Sequence, residues 1–356
     1  MSVKEVKSIN LVNIVKREMT RPRHPQARRL PTFYPSSASV ELPDGRIEGG
    51  CWRADWYRVQ GVPESDPTDL YMSMIYKLGK SVEDAVVEAM KCAGVFESAA
   101  VKFYDPELNV SGELDVVGRY RKSDGTVGYF IVECKSVYGQ GASMTISGRS
   151  RAYKGQPAYR PKPKNSNVMQ TMVYLNQFSK EKGPLFHLDG AKLVYFPRDK
   201  PVDGREYTIY LVTKEELLDF EDTSMSKSEK AATFKDMKEG RHYALIMTDG
   251  FPDYVETTFA LEDMYDRWKI QKAMFTNNEV PPRPFKKSYS RSEIEYLVSI
   301  DELAESALEE HDKGRGTGHF LCRSYCSYRG ICYHANGQPN KAADIPKELV
   351  QIEEMI

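Results

Sequence analysis

The chain is poor in cysteine and histidine and has no long apolar run. Six cysteines and six histidines among 356 residues are too few for a disulfide framework. In a reducing compartment, clustered cysteines point instead to metal or cofactor ligation. No stretch of about 18 consecutive apolar residues occurs, so no membrane-spanning helix and no membrane partner are expected. The opening residues, MSVKEVKSINLVNIVKREM, lack the charged, apolar and small-residue succession of a secretory leader, and a cytoplasmic protein is expected. A charge excess is missing too: 50 Lys and Arg against 51 Asp and Glu leave a formal net charge of −1. Contact with nucleic acid must therefore rest on local charge. What is present is 40% hydrophobic and 11% aromatic residues, enough to bury a sizeable core and to exclude disorder over the whole length. At about 150 residues per domain, the length predicts two domains or one elaborated α/β domain.

The chain divides into four stretches. Residues 1–50 are a basic arm and lead-in, in which Lys4, Lys7, Lys16, Arg17, Arg21, Arg23, Arg28 and Arg29 face only Glu5 and Glu18 over the first thirty positions. Such an arm is read either as a solvated terminus or as a phosphate-binding strip. Residues 51–213 form the expected core, with a basic loop at 139–165. Residues 214–300 are a helical and strand elaboration, and residues 301–356 carry the late cysteines. Within the core, GKSVEDAVVEAMKCAG (79–94) has helical apolar spacing closed by glycine. SAAVKFYD, SGELDVVGRYR and VGYFIVECKSV read as strands, the last two joined by a turn at Ser123-Asp124-Gly125-Thr126. A second helix, NVMQTMVYLNQFSKEKG, precedes the strands AKLVYFPRD and REYTIYLVT. HYALIMTDG is a further strand, and LEDMYDRWKIQKAMFTNNEV and SIDELAESALEEHDKG are helices.

The strands carry the chemistry. On a pleated strand alternate residues share a face, so Glu133 and Lys135 project together while Cys134 points away. Hairpin pairing brings Asp115 beside them. Two carboxylates and an ammonium in a half-buried sheet are costly unless paired or bound to metal. Oxygen ligands from Asp115, Glu133 and the Cys134 carbonyl suit Mg²⁺ or Mn²⁺. Taken alone, the triplet reads equally as solvent-face residues joined by a salt bridge. Gln170 and Tyr174, four residues apart on the next helix, share one of its faces. Residues 149–164 hold Arg149, Arg151, Lys154, Arg160, Lys162 and Lys164 with no acid, interleaved with Tyr153 and Tyr159. This is either a path for single-stranded DNA, gripping phosphates and stacking bases, or a solvated loop.

In this order of motifs the chain resembles the PD-(D/E)XK nuclease superfamily. Within it, the chain is most similar to the RecB-like branch that carries an iron-sulfur cluster and includes the AddB nuclease domain and the CRISPR-adaptation exonucleases. The resemblance rests on Cys51-Trp52-Arg53 with Tyr57, Gly79-Lys80-Ser81-Val82-Glu83, Gly112-Glu113-Leu114-Asp115, Glu133-Cys134-Lys135, Gln170 to Tyr174, and Cys322, Cys326 and Cys332. It implies a restriction-endonuclease-like α/β core, a central mixed sheet flanked by helices, whose N- and C-terminal segments are joined by a cysteine-ligated cluster. It implies metal-dependent phosphodiester hydrolysis, with Asp115, Glu133 and Lys135 catalytic and with Gln170 and Tyr174 contacting the substrate strand. Lys135 beside a dication is expected to have a lowered pKa. Glu83 stands where the family has a histidine ligand, with Glu88 a rival. Cys51, Cys322, Cys326 and Cys332 would hold a [4Fe-4S] cluster in a one-plus-three arrangement. Zinc stays open, with His319 and His334 beside the triplet, and so do free buried thiols. Cys92 and Cys134 read as packing residues. The implied activity is that of an exonuclease on single-stranded DNA or free DNA ends in recombination, repair or replication, with a helicase or recombination protein as a possible partner. The alternatives are an endonuclease of the same fold and a catalytically silent DNA-binding scaffold subunit.

Overall fold

The computed structural model describes residues 32–66, 70–148, 159–182, 188–199, 203–219, 234–248, 259–300, 303, 305–315 and 317–334. In chain order the elements are β1 (Ser39–Glu41), β2 (Ile47–Gly49), α1 (Trp52–Val59), α2 (Leu70–Cys92), β3 (Phe96–Asp105), β4 (Val110–Arg121) and β5 (Val127–Val137). They continue with α3 (Asn165–Lys182), β6 (Leu188–Pro197), β7 (Arg205–Thr213), α4 (Lys214–Asp219), β8 (His242–Thr248), α5 (Leu261–Thr276), α6 (Arg291–Ser299), α7 (Ser306–Asp312) and α8 (Arg329–His334). Two compact units form. One comprises residues 1–38 and 68–265, the other residues 39–67 and 266–356. No helix among the described residues is long and apolar enough to cross a membrane.

The first unit is built on a six-stranded mixed sheet of order β3-β4-β5-β6-β7-β8. All neighbours are antiparallel except β5 and β6, which run parallel across the α3 connection, as a crossover through a helix requires. The hairpin between β4 and β5 follows from its turn. Gly125 has φ 87°, the Thr126 N–H donates to Asp124 Oδ1 at 2.9 Å, and Val127 then pairs with Arg121. β5 is central, and its rich supply of β-branched and aromatic residues suits a strand covered on both faces. One face meets α2, where Met90, Val116 and Val132 form a cluster with Val86 and Cys134 at its margin. α3 is buried on most sides, with Val168, Met169, Met172, Val173, Leu175 and Phe178 all in the core.

Some expectations shift. The helix expected from Gly79 starts at Leu70, because LYMSMIYKL continues the helical spacing and a mid-helix glycine costs only about 1 kcal/mol. The strand expected in HYALIMTDG forms as β8 and pairs along β7, so it lies in the same compact unit as the core sheet. Of the acidic stretch 299–314, Ser299 closes α6 and Ser306–Asp312 form α7, so the stretch is not one helix. Cys92, expected to pack, is exposed, while Cys134 is partly buried.

The second unit is discontinuous in sequence, and polar bonds tie its pieces together. Trp52 Nε1 donates to the Pro282 carbonyl at 2.9 Å and Arg53 Nη1 to the Pro281 carbonyl at 2.9 Å. The Asp66 carboxylate accepts from Arg329 Nη2 at 2.6 Å and from the Gly330 N–H at 2.7 Å. Asp66 thereby satisfies an amide at the start of α8, which has no capping residue of its own in sequence. Trp56, Tyr57, Val280, Tyr328, Ile331 and Cys332 make the core beneath.

Gly112 has a packing reason. A Cβ built there would overlap the Phe103 ring and lie 3.0 Å from the Tyr174 ring, two rings that meet edge to face at 5.8 Å. Gly112→Ala should therefore lower stability by about 1–3 kcal/mol through overpacking. The check is a shift of the urea midpoint with unchanged slope.

Candidate functional site

The β4–β5 ladder runs from Arg121↔Val127 to Val116↔Val132 and stops there. Asp115 and Glu133 are the next residues on each strand. On the other side of β4, the pairs Val101↔Leu114 and Ala99↔Val116 flank Ala100, which has φ 54°, a left-handed conformation that is costly for alanine. β4 is thus loosened from both neighbours at Asp115. The carboxylate takes over one backbone partner: Asp115 Oδ2 accepts from the Cys134 N–H at 2.8 Å.

Glu133 and Lys135 share the face of β5 that looks to α3. Lys135 Nζ donates to Glu133 Oε1 at 2.5 Å and to Gln170 Oε1 at 3.0 Å, and Gln170 Nε2 donates to the Tyr174 hydroxyl at 2.9 Å. Glu133 is 1% exposed, and its Oε2 is buried without a hydrogen-bond partner. An orphaned carboxylate oxygen is a strong demand for a cation. Gln170 and Tyr174 are themselves buried and engaged with each other and with Lys135. Their polar side-chain atoms are thus used within this chain, on Lys135 and on each other.

The electrostatics follow from burial. Burial, and then the charge of Glu133, push the Asp115 carboxyl up from 3.8 to about 8. Burial also raises Glu133. For Lys135, burial opposes the charge, but the Glu133 and Asp115 carboxylates outweigh it and hold the ammonium above the usual lysine range. This is the reverse of the sequence expectation, because that expectation supposed a dication beside the lysine. Glu83 on α2 adds negative charge at Asp115, Glu133 and Cys134 and is paired with Lys80. Glu88 is exposed and is not among the charges acting on these groups. Among the described residues, no group of three or more His, Cys, Asp or Glu is placed to hold a metal ion by itself. Two carboxylates, a carbonyl and water would be the ligand set at this position, with Glu83 nearest as a further acid.

Of the basic stretch, Arg149, Arg151, Tyr153 and Lys154 lie outside the described residues. Tyr159 shares a hydrogen bond with Ser143 Oγ at 2.7 Å, and Arg160 is exposed. Lys162 and Lys164 are exposed too, and the Lys162 N–H donates to the Met144 carbonyl at 2.9 Å.

In the second unit, Cys51, Cys322, Cys326 and Cys332 line one cavity together with Arg53, Tyr57, Arg283, Phe285, Tyr328 and Tyr333. Burial raises the thiol pKa of Cys51 and Cys322 and lifts Cys326 to about 11. Two donors face the sulfurs: Arg283 Nε stands 3.3 Å from Cys332 Sγ and the Tyr333 hydroxyl 3.5 Å from Cys322 Sγ. His319 is stacked on Phe285 at 3.8 Å between ring centroids and is not among the lining residues. The His334 side chain lies outside the described residues. Sequence reading missed Arg283 and Tyr333. The signal was the Pro281-Pro282-Arg283-Pro284 turn, which places an arginine against the Cys332 carbonyl.

Family models and curated proteins were compared with the chain, and none matches it.

With chelator present, the folded chain keeps a proton on Asp115 that the unfolded chain has already released above the ordinary value of 3.8. Stability should therefore fall as pH rises from about 4 to about 8 and level off beyond. Asp115→Asn removes that ionisation and should shrink the fall. Urea midpoints measured across about pH 5 to 9 check the sign.

Proposed function

We propose that the chain is a metal-dependent DNA nuclease of PD-(D/E)XK type, acting as an exonuclease on single-stranded DNA or free ends in recombination, repair or replication. The observation that carries this reading is the buried Glu133 carboxylate. One of its oxygens is on Lys135 and the other has no hydrogen-bond partner, just past the ladder end that also frees Asp115. The exonuclease assignment rests on the resemblance alone.

The donor set fits a hard divalent ion such as Mg²⁺ or Mn²⁺, with Asp115, Glu133 and the Cys134 carbonyl as its holders and Glu83 as the nearest further acid. When bound, such an ion supplies Lewis acidity to the scissile phosphate and acidifies a water. Lys135 does the rest of the positioning. An ammonium has three donors, and Glu133 and Gln170 take two, so one is left for the attacking water or a phosphate oxygen. While the carboxylates keep it charged, Lys135 orients and stabilises. Once their charge is neutralised, the burial that now opposes its ammonium prevails, and Nζ can accept a proton. Tyr174 fixes which way the Gln170 amide points, so that its oxygen meets Lys135.

For the cysteines, four thiols lining one cavity, Cys322 and Cys332 buried and Cys51 and Cys326 partly buried, with hydrogen bonds directed at two sulfurs, support a [4Fe-4S] cluster as a structural staple.

Lys135→Ala and Asp115→Asn should each lower cleavage of labelled linear DNA in Mg²⁺ or Mn²⁺ by about 100-fold or more while retaining DNA binding. A variant that cuts like the parent removes the site assignment. Cleavage of circular single-stranded DNA identifies an endonuclease, and binding without cleavage by the parent identifies a scaffold. Anaerobically purified protein should be brown, with iron and sulfide bound. Cys51→Ser or Cys326→Ser should bleach it and lower its melting temperature before any change in the catalytic residues' chemistry. Stoichiometric zinc without visible absorbance overturns the cluster.

A further inference from the structure

Lys164 and Arg198 bring two positive charges together at the carboxyl ends of β5 and β6. Arg198 directly follows β6. Its Nε donates to Ser136 Oγ and its Nη2 to the Ser136 carbonyl, both at 3.3 Å, and its backbone N–H donates to the Val137 carbonyl at 2.9 Å. Ser136 is the neighbour of Lys135. Lys164 immediately precedes α3, and its N–H donates to the Tyr195 hydroxyl at 3.1 Å. Tyr195 is the ladder partner of Lys135 on β6. The Arg198 guanidinium is therefore held on the neighbour of Lys135, and the Lys164 backbone is held on the tyrosine paired with Lys135 across the ladder, by bonds that leave both side-chain charges uncompensated.

No carboxylate pairs with either of them among the described residues. Surrounding protein and the Arg198 charge hold the Lys164 ammonium below the usual lysine range. Two cations side by side without an acid suit a bound anion, although solvent at the exposed Lys164 screens their mutual repulsion. The place is suitable, since open α/β sheets bind ligands in the crevice beyond the carboxyl ends of their parallel strands.

We propose that Lys164 and Arg198 form a phosphate clamp that grips a backbone phosphate of single-stranded DNA beside the bond presented to Asp115, Glu133 and Lys135. The clamp rests on the nuclease reading for the identity of its ligand. Arg198 still has N–H groups beyond those used by Ser136 and can meet phosphate oxygens in a fork, while Lys164 contributes a point charge. Neither reads a base, so the clamp sets register along the strand without sequence preference.

The test is anisotropy of a fluorescent single-stranded oligonucleotide in EDTA, with the full chain, Lys164→Ala, Arg198→Ala and Arg198→Lys. Each alanine variant should bind about 3–10-fold more weakly, and its log–log salt slope should fall by about 0.7. Arg198→Lys should keep more affinity than Arg198→Ala. In Mg²⁺ the alanine variants should raise KM while leaving kcat nearly unchanged. Variants that bind and cut like the parent overturn the clamp and leave the nuclease reading standing. If the parent neither binds nor cuts DNA, the nuclease reading fails, and inorganic phosphate decides the clamp. Millimolar phosphate should then raise the melting temperature of the parent and not that of the alanine variants, and an equal response, or none, overturns it.

Discussion

The buried pair of Glu133 and Lys135 is the constraint around which the first unit is arranged. A carboxylate that is 1% exposed in the middle of a sheet is destabilising unless its charge is met at short range. The lysine two residues on, on the same face of the same strand, meets it at 2.5 Å. That pairing needs β5 to be central, because only a strand covered on both faces dries the pair enough for the interaction to matter. It also needs α3 to present Gln170 at the height of Lys135, so the parallel crossover and the glutamine belong to one requirement. The ladder end at Val116↔Val132 frees Asp115 to reach a backbone amide in place of a neighbouring strand. Ala100 on β3 keeps its left-handed conformation opposite that gap.

Much of this was legible in the sequence because it is local. The Asp124-Gly125 step fixes the hairpin turn, the hairpin fixes the register, and register places Asp115 beside Glu133. Period-two alternation alone puts Glu133 and Lys135 on one face and Cys134 on the other, and the observed cluster around Met90 and Val132 takes Cys134 at its margin. The four-residue spacing of Gln170 and Tyr174 gave a shared helix face. It did not disclose that their polar atoms are spent on each other and on Lys135, because burial depends on which sheet face the helix covers.

What escaped the sequence is long-range. Lys164 and Arg198 are 34 residues apart, and only the closing of β6 beside β5 brings them together. Arg283 reads as one basic residue in a proline-rich turn until the fold sets it against Cys332. The start of α2 was missed because Gly79 was given the weight of a boundary, whereas a glycine inside a 23-residue helix is outweighed by the turns on either side. Gly79 has a packing role of its own: a Cβ there would lie 3.4 Å from Ser136 Oγ.

The two units share one physical problem and meet it with different atoms. In the first, burial favours the protonated form of Asp115 even beside the Glu133–Lys135 pair; in the second, it favours the protonated thiols of Cys51, Cys322 and Cys326. Each set of potential anions is thus held in a form that only a cation would convert to its ionised state. The oxygen set faces a lysine and a carboxylate oxygen without a hydrogen-bond partner, a setting that suits a hard ion exchanging with water. The sulfur set is walled by Tyr57, Phe285, Tyr328 and Tyr333, with Arg283 and Tyr333 directed at the sulfurs, a setting for a soft centre that stays in place. On the proposed reading, the difference in donor softness and in the polarity of the walls would separate a site for turnover from a site that staples chain segments. The second unit, assembled from two distant stretches over a small aromatic core, is the one that gains more from such a staple.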